Sequence, residues 1–251
     1  MIQLILKIFN NTLVNRMLIL IGKDDFIKKY QNNWSKWGYN EHKTSQENVG
    51  FSHSADIQEA IDKIHNDLSI FSNGIDAGEY SVLDIGCGVG LYLQDFPDDV
   101  RKYGTDLNPL FIDRAQSSLT NSDLHLGDYF NLSFDSKFDL IYSISVIQYI
   151  APSKLNRFFS KMHEELKPGG KIFIQYPHAL SNKDLRYADL SYVQYAPKRI
   201  EKAIVGKFQI VQHKHSFDNR KIKGKFDEFV YGNKEQRSFR NGYVLKAIRI
   251  D

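Results

Sequence analysis

A single cysteine, Cys87, stands among 251 residues, so the chain holds no internal disulfide and no multi-cysteine zinc site. That fits a reducing, cytoplasmic setting, and neither a metal nor redox chemistry is expected. Charge of one sign is scarce in excess: 33 lysines and arginines face 30 aspartates and glutamates, and a formal balance of +3 names no nucleic-acid partner by itself. Long apolar runs are missing too. The most apolar stretch, residues 1–21, is broken by Lys7, Asn10, Asn11, Thr12, Asn15 and Arg16 and falls short of the ~18 residues or more of a spanning helix. It lacks the basic start and small-residue cleavage site of a leader. Its polar face is too poor in Lys and Arg for membrane attachment, so stable membrane insertion is not expected.

What is present is ordinary globular usage, 42% hydrophobic and 25% charged, in a length suited to one α/β domain with additions. Ile2, Ile5, Leu6, Phe9, Leu13, Met17 and Leu20 recur at helical spacing, predicting a helix that packs on the domain or on a second copy as a homodimer contact. We divide the chain into a helical N-terminal cap, residues 1–53, and a domain, residues 54–251. In the latter, Ser54 can cap a helix whose Ile57, Ile61, Ile64, Leu68 and Phe71 form one face, with Asn73-Gly74 as the stop. Beyond residue 80, short β-branched runs alternate with helical ones. Residues 81–85, 103–106, 123–126, 138–144 and 171–175 read as strands. Residues 109–119, with Asn108 as cap, and 153–166 read as helices. Near-continuously apolar strands separated by helices predict a doubly wound, mostly parallel sheet covered on both faces. Residues 208–213 and 243–250 predict an antiparallel pair closing one edge.

The densest chemical signal is Val82-Leu83-Asp84-Ile85-Gly86-Cys87-Gly88-Val89-Gly90, an apolar strand entering a turn with glycine at every second position. Such a turn brings a ligand against bare main chain at the carboxyl end of the strand. The spacing is not the dinucleotide fingerprint G-x-G-x-x-G, and the offset argues against NAD. Two more acids follow: Asp106 ends the second strand, where a carboxylate can accept both hydroxyls of a ribose, and Asp128 follows the third. The Asp128 carboxylate can accept from an exocyclic amine, with Tyr129 or Phe130 packing on a purine.

These segments resemble the class I S-adenosylmethionine-dependent methyltransferase family across residues 80–177. The glycine segment resembles its first motif, Gly104-Thr-Asp-Leu-Asn-Pro109 its ribose-binding loop, and Gly127-Asp128 its adenine-contacting one. Phe138-Asp139-Leu-Ile-Tyr-Ser-Ile-Ser-Val-Ile-Gln-Tyr-Ile150 resembles the fourth-strand segment, and Leu166-Lys-Pro-Gly-Gly170 the turn before strand five. The resemblance implies a Rossmann-like fold and S-adenosylmethionine as cofactor. It places Asp84, Gly86 and Gly88 near the methionine moiety, Asp106 and Leu107 at the ribose, and Asp128 and Tyr129 at the adenine. Cys87, as a small filler, and Ser143 complete the implied cofactor set.

In-line methyl transfer needs proximity, orientation and, for a hydroxyl acceptor, a base. The candidates are His178 after strand five, Tyr149 where many small-molecule members carry histidine, and His53 from the cap. Residues 22–53 and 179–196, the latter with Tyr187, Tyr192 and Tyr195, are expected to lie over the strand ends as lids. The fourth-strand segment lacks Asn/Asp-Pro-Pro-aromatic, which excludes methylation of DNA bases in that manner, and RNA is disfavoured because a separate RNA-binding domain is not visible. A small-molecule acceptor is expected. Arg220, Lys221, Lys223, Lys225, Lys234, Arg237 and Arg240 cluster between the last two strands, diluted by Asp227, Glu228 and Glu235, and would suit an anionic acceptor. O-methylation of a sugar or a phosphorylated or phosphoramidate glycan precursor is the specific expectation. An RNA methyltransferase and a non-catalytic cofactor-binding subunit are the alternatives.

Overall fold

A computed structural model of the chain describes residues 55–72, 80–177, 185–188, 192–215 and 242–251. The predicted cap, residues 1–53, lies outside them, as do His53, Ser54, His178 and the basic insertion. Helix α1 (Ala55–Ser72) precedes β1 (Ser81–Ile85) and β2 (Arg101–Asp106), followed by α2 (Pro109–Ser118) and β3 (Ser122–Leu126). Strand β4 (Phe138–Ile144), α3 (Leu155–Glu165) and β5 (Leu166–Pro177) come next. A hairpin of β6 (Leu185–Ala188) and β7 (Tyr192–Tyr195), helix α4 (Pro197–Ile204), β8 (Phe208–His215) and β9 (Gly242–Arg249) complete the order.

The main sheet runs β3-β2-β1-β4-β5-β9-β8, parallel through β5 and antiparallel at β9 and β8. Chain order reverses between β1 and β4, the switch point where such sheets open a crevice at their carboxyl ends. Alternation along the strands feeds two cores. Leu83, Ile85, Ile141, Ile172 and Ile174 face Phe158, Phe159 and Met162 of α3 and Ile200 and Ile204 of α4. Val82, Leu140, Tyr142 and Phe173 face Ile64 and Leu68 of α1 and Ile112 and Ala115 of α2. Burial on both sides is why β1 and β4 read as continuous apolar runs.

Local chemistry sets the boundaries. Asn108 caps α2, its Oδ1 accepting from the N–H of Leu110 at 3.0 Å and of Phe111 at 3.4 Å, with Pro109 in the first turn. Strand β5 starts earlier than its β-branched run suggests. Phe138 pairs with Leu166 and Leu140 with Lys171, so Lys167-Pro-Gly-Gly170 bulges out of a strand that continues on both sides. Helix α4 was not legible as a run because it has only eight residues; Pro197 at its start and the buried Ile200, Ala203 and Ile204 are the signals that mark it. Part of the expected lid is instead anchored in the core. Val193 and Tyr195 of β7 are fully buried, and the Tyr195 hydroxyl donates to the Ile150 carbonyl at 2.6 Å.

Candidate functional site

The carboxyl ends of β1, β2 and β4 and the turn after β3 enclose one cavity. Asp84, Gly86, Cys87, Gly88, Asp106, Leu107, Asp128 and Tyr129 line it, together with Ser145, Val146 and Tyr149 from the segment after β4. The structure therefore gathers eight of the nine expected cofactor residues around one space. Ser143 is the exception: its side chain is fully buried and its hydroxyl donates to the Ile85 carbonyl at 3.1 Å, tying β4 to β1 beneath the cavity. Ser145, two residues on, takes the place in the wall. His178 and His53 lie outside the described residues; Tyr149 lines the cavity, half-buried.

The glycine turn is held by its neighbours. Gly86 and Cys87 both donate to the Thr105 carbonyl, at 2.7 and 2.9 Å. Gly86 adopts φ +79°, and a Cβ there would stand 2.3 Å from a Val146 methyl. The sharp turn and the packing of Val146 both require glycine here, apart from any approach of a ligand. Cys87 fills the space that Gly104 leaves, its sulfur 2.9 Å from where a Gly104 Cβ would be. Burial keeps its thiol protonated well above the usual range, and Asp84 and Asp106 push the same way.

Asp106 works in two directions. One oxygen accepts from the Gly88 N–H at 2.9 Å and the other from the Asn108 N–H at 2.9 Å, so the carboxylate joins the glycine turn to the start of α2. Each oxygen keeps acceptor capacity for a further hydroxyl. Burial raises its pKa, while the N–H groups of Asn108, Gly88 and Leu107 pull it back. Asp128 accepts from the Phe130 N–H at 3.1 Å and so caps a single turn, yet it also faces the cavity. Tyr129, which lines the cavity, is also tied to α3: its hydroxyl donates to Glu165 at 2.6 Å, its ring meets Phe158 edge-on at 5.7 Å, and Lys161 sits over it at 5.0 Å. Of the two rings expected at a purine, Phe130 is the more exposed.

Asp84 differs from both other acids. It is 2% exposed, in register with Tyr142 of β4 on one side and Gly104 of β2 on the other. The Tyr142 hydroxyl stands beside it, sealed from solvent and without a hydrogen-bond partner of good geometry. The Tyr92 hydroxyl is orphaned in the same way. Burial lifts the Asp84 pKa well above the carboxylate range, Tyr142 lowers it in part, and the Asp106 charge raises it further.

Among the described residues the cavity carries three carboxylates and no lysine, arginine or histidine. The glycine turn leads into a three-residue 3-10 turn, Leu93–Asp95, rather than a helix whose N-terminus could take a pyrophosphate. Among the described residues a dinucleotide would find neither a cation in the cavity nor a helix dipole at the glycine turn for its phosphates. A nucleoside bearing positive charge, by contrast, meets acids at its ribose, its base and its charged end. The cavity is thus that of a domain for a cationic nucleoside, and S-adenosylmethionine, with its sulfonium and ammonium, fits the donor set.

Comparison with known proteins agrees. Residues 82–170 match a methyltransferase domain model. The chain is 37% identical over 110 residues to the 18S rRNA (guanine-N(7))-methyltransferase of Bos taurus, covering 38% of this chain and 39% of that protein. It is 28% identical over 98 residues to the dTDP-3-amino-3,4,6-trideoxy-alpha-D-glucopyranose N,N-dimethyltransferase of Streptomyces venezuelae, covering 38% and 41%. The chain thus spans about two fifths of the length of these curated relatives. The fold is similar to that of the N-methyltransferase NodS from Bradyrhizobium japonicum WM9, solved with S-adenosyl-l-homocysteine, with a TM-score of 0.61 at 15% identity over 91% of this chain and 100% of that one. Residues 82–170 thus form a methyltransferase domain of the class I S-adenosylmethionine-dependent type.

Proposed function

We propose that the chain transfers the methyl group of S-adenosylmethionine to a small-molecule acceptor presented at the carboxyl ends of β4 and β5. Bound in the cavity, the cofactor supplies a methyl group already made electrophilic by a sulfonium. The protein's share is then to orient the two partners, exclude water and accept a proton where the acceptor is a hydroxyl. Asp106 would accept the ribose hydroxyls, Asp128 the adenine amine, and the N–H groups of the glycine turn the cofactor carboxylate.

The observation that carries the acceptor class is the wall after β4. Ser145, Val146, Tyr149 and Ile150 make it neutral and largely apolar, which suits a compact acceptor better than a polyanion. The two relatives act on an rRNA guanine and on an amino sugar, so kinship alone does not choose between them. A sugar or phosphorylated glycan precursor, methylated on oxygen, is our specific reading. Its phosphate would be met by the basic residues between Arg220 and Arg240.

The test is a screen of purified protein against sugar nucleotides and other metabolites, reading release of S-adenosylhomocysteine, with a parallel filter-binding assay on RNA. Turnover with a compact acceptor supports the proposal. Salt-dependent RNA binding with turnover only on RNA replaces it, and cofactor binding without any turnover favours a non-catalytic subunit. With an acceptor in hand, His178→Ala and Tyr149→Phe assign the base. The true base is the one whose loss slows transfer about 10²–10⁴-fold with cofactor affinity unchanged.

A further inference from the structure

The cavity holds two buried carboxyl groups of unequal circumstance. Asp106 is braced as an anion by the N–H groups of Gly88 and Asn108, each at 2.9 Å. Asp84 accepts no backbone N–H among the described residues, and it is flanked in the sheet by Tyr142 on one side and a bare glycine, Gly104, on the other. Two carboxylates sharing a space without a cation do not both ionise readily, and the unbraced one keeps its proton.

The surroundings of Asp84 sharpen this. Tyr142 faces it from β4, Tyr92 from the segment after the glycine turn, Asp106 from the end of β2 and the Cys87 thiol from the turn itself. The His65 ring of α1 lies tilted against Tyr92 with centroids 4.5 Å apart, but its imidazole is engaged with Asp95. Both phenol hydroxyls are sealed from solvent, and neither makes a hydrogen bond of good geometry, Tyr142 standing within reach of the Asp84 carboxyl. Two poorly paired phenol donors, Tyr142 against the carboxyl and Tyr92 within range of its charge, are an arrangement that favours an ionised Asp84. Among the described residues the site has no positive charge to make that ionisation favourable.

We propose that Asp84 is a neutral carboxylic acid in the ligand-free protein and gives its proton to solvent when the ammonium group of the cofactor enters, with Tyr142 and Tyr92 donating to the carboxylate so formed. Cofactor binding is then coupled to the release of a proton. The inference rests on the cofactor assignment above and goes beyond it by giving Tyr142 and Tyr92 a part as positioning residues. The balance is simple: Asp84 loses one proton to bulk water, the ligand's ammonium keeps its own, and a neutral acid is replaced by an ion pair.

The test is calorimetry of the full chain with S-adenosylhomocysteine near pH 6.5, in two buffers of different ionisation enthalpy. Methylthioadenosine, which shares the nucleoside and sulfur but has no amino-acid moiety, is the control ligand. The expected result is release of about one proton with S-adenosylhomocysteine and none with methylthioadenosine, and an affinity for the former that rises up to about tenfold per pH unit. Asp84→Asn should abolish the release, and Tyr142→Phe should weaken S-adenosylhomocysteine while leaving methylthioadenosine unchanged. Buffer-independent heats for S-adenosylhomocysteine in the wild-type protein, or proton release equal for the two ligands, overturn the inference while leaving the cofactor assignment standing. No binding of either ligand to the folded chain overturns both.

Discussion

The Ser145 hydroxyl donates to the Gln175 carboxamide oxygen at 2.8 Å, and the Ser145 N–H donates to the Gln175 carbonyl at 3.0 Å, from a backbone at φ +57°. A serine in the left-handed region costs about 1–2 kcal/mol, and these two bonds, with that of the Gln148 amide to the Ser145 carbonyl at 2.6 Å, hold it there. The turn directs Val146 onto Gly86 and brings Tyr149 into the cavity wall. The end of β5 thereby fixes the wall against which an acceptor would lie.

Ser145→Gly should be close to neutral in stability, because glycine adopts this conformation without strain and offsets the lost hydroxyl. Ser145→Val should cost about 2 kcal/mol or more, since a β-branched residue is poorly accommodated there. Urea denaturation of the two variants measures the difference, and equal loss in both would mean that the hydroxyl, not the backbone, matters.

Asp106→Ala removes an acceptor from two backbone N–H groups as well as from a ribose. Affinity for S-adenosylhomocysteine should fall roughly ten- to hundredfold. Hydrogen exchange should also quicken at Gly88 and Asn108, and an intact affinity in a folded variant would remove Asp106 from the ribose.

Asp84→Asn should stabilise the ligand-free protein. Burial raises the folded-state pKa, so the stability Asp84 contributes is complete below its unfolded value near ~3.9 and is lost as pH rises through the folded one. The variant's advantage should therefore grow with pH and reach about 1 kcal/mol or more at neutral pH. Melting curves at pH 5 and 8 give the comparison, and an advantage that shrinks toward pH 8 would contradict it.

His213 has the opposite sign. Its Nε2 accepts from the Tyr176 hydroxyl and its Nδ1 donates to Glu201, both at 2.8 Å, so one neutral tautomer satisfies all three groups. Burial lowers its pKa and Glu201 restores part of the loss. Below about pH 6.5 the unfolded chain takes up the proton more readily, and stability should fall until the folded value is passed. Denaturation at pH 5.5 and 7.5 should show this slope in the wild type and a smaller one in His213→Gln.

Much of this was legible because the sheet is buried on both faces: β1 and β4 have the boundaries that their apolar runs predict, and Asn108-Pro109 marks the start of α2. The three acids were legible because each lies at or just beyond the end of a recognisable strand. Ser145 and Gln175 were not, since their importance lies in a left-handed φ and a contact across 30 residues, neither of which has a local signature. Tyr142 and Tyr92 carry no signal in the sequence, and it is their poorly paired hydroxyls near Asp84 that set them apart in the fold. Ser143 was misplaced for a related reason: strand alternation puts one serine of Ser143-Ile-Ser145 inside, and the left-handed turn gives the other to the cavity.

Titration of the purified chain with S-adenosylmethionine, with NADH as competitor, tests the central claim most directly. The account predicts one site per chain, saturable by S-adenosylmethionine or S-adenosylhomocysteine, weakened roughly ten- to hundredfold in a folded Asp106→Ala protein and indifferent to NADH. A folded wild-type chain that binds neither ligand, or that gives up S-adenosylmethionine to NADH, would contradict it.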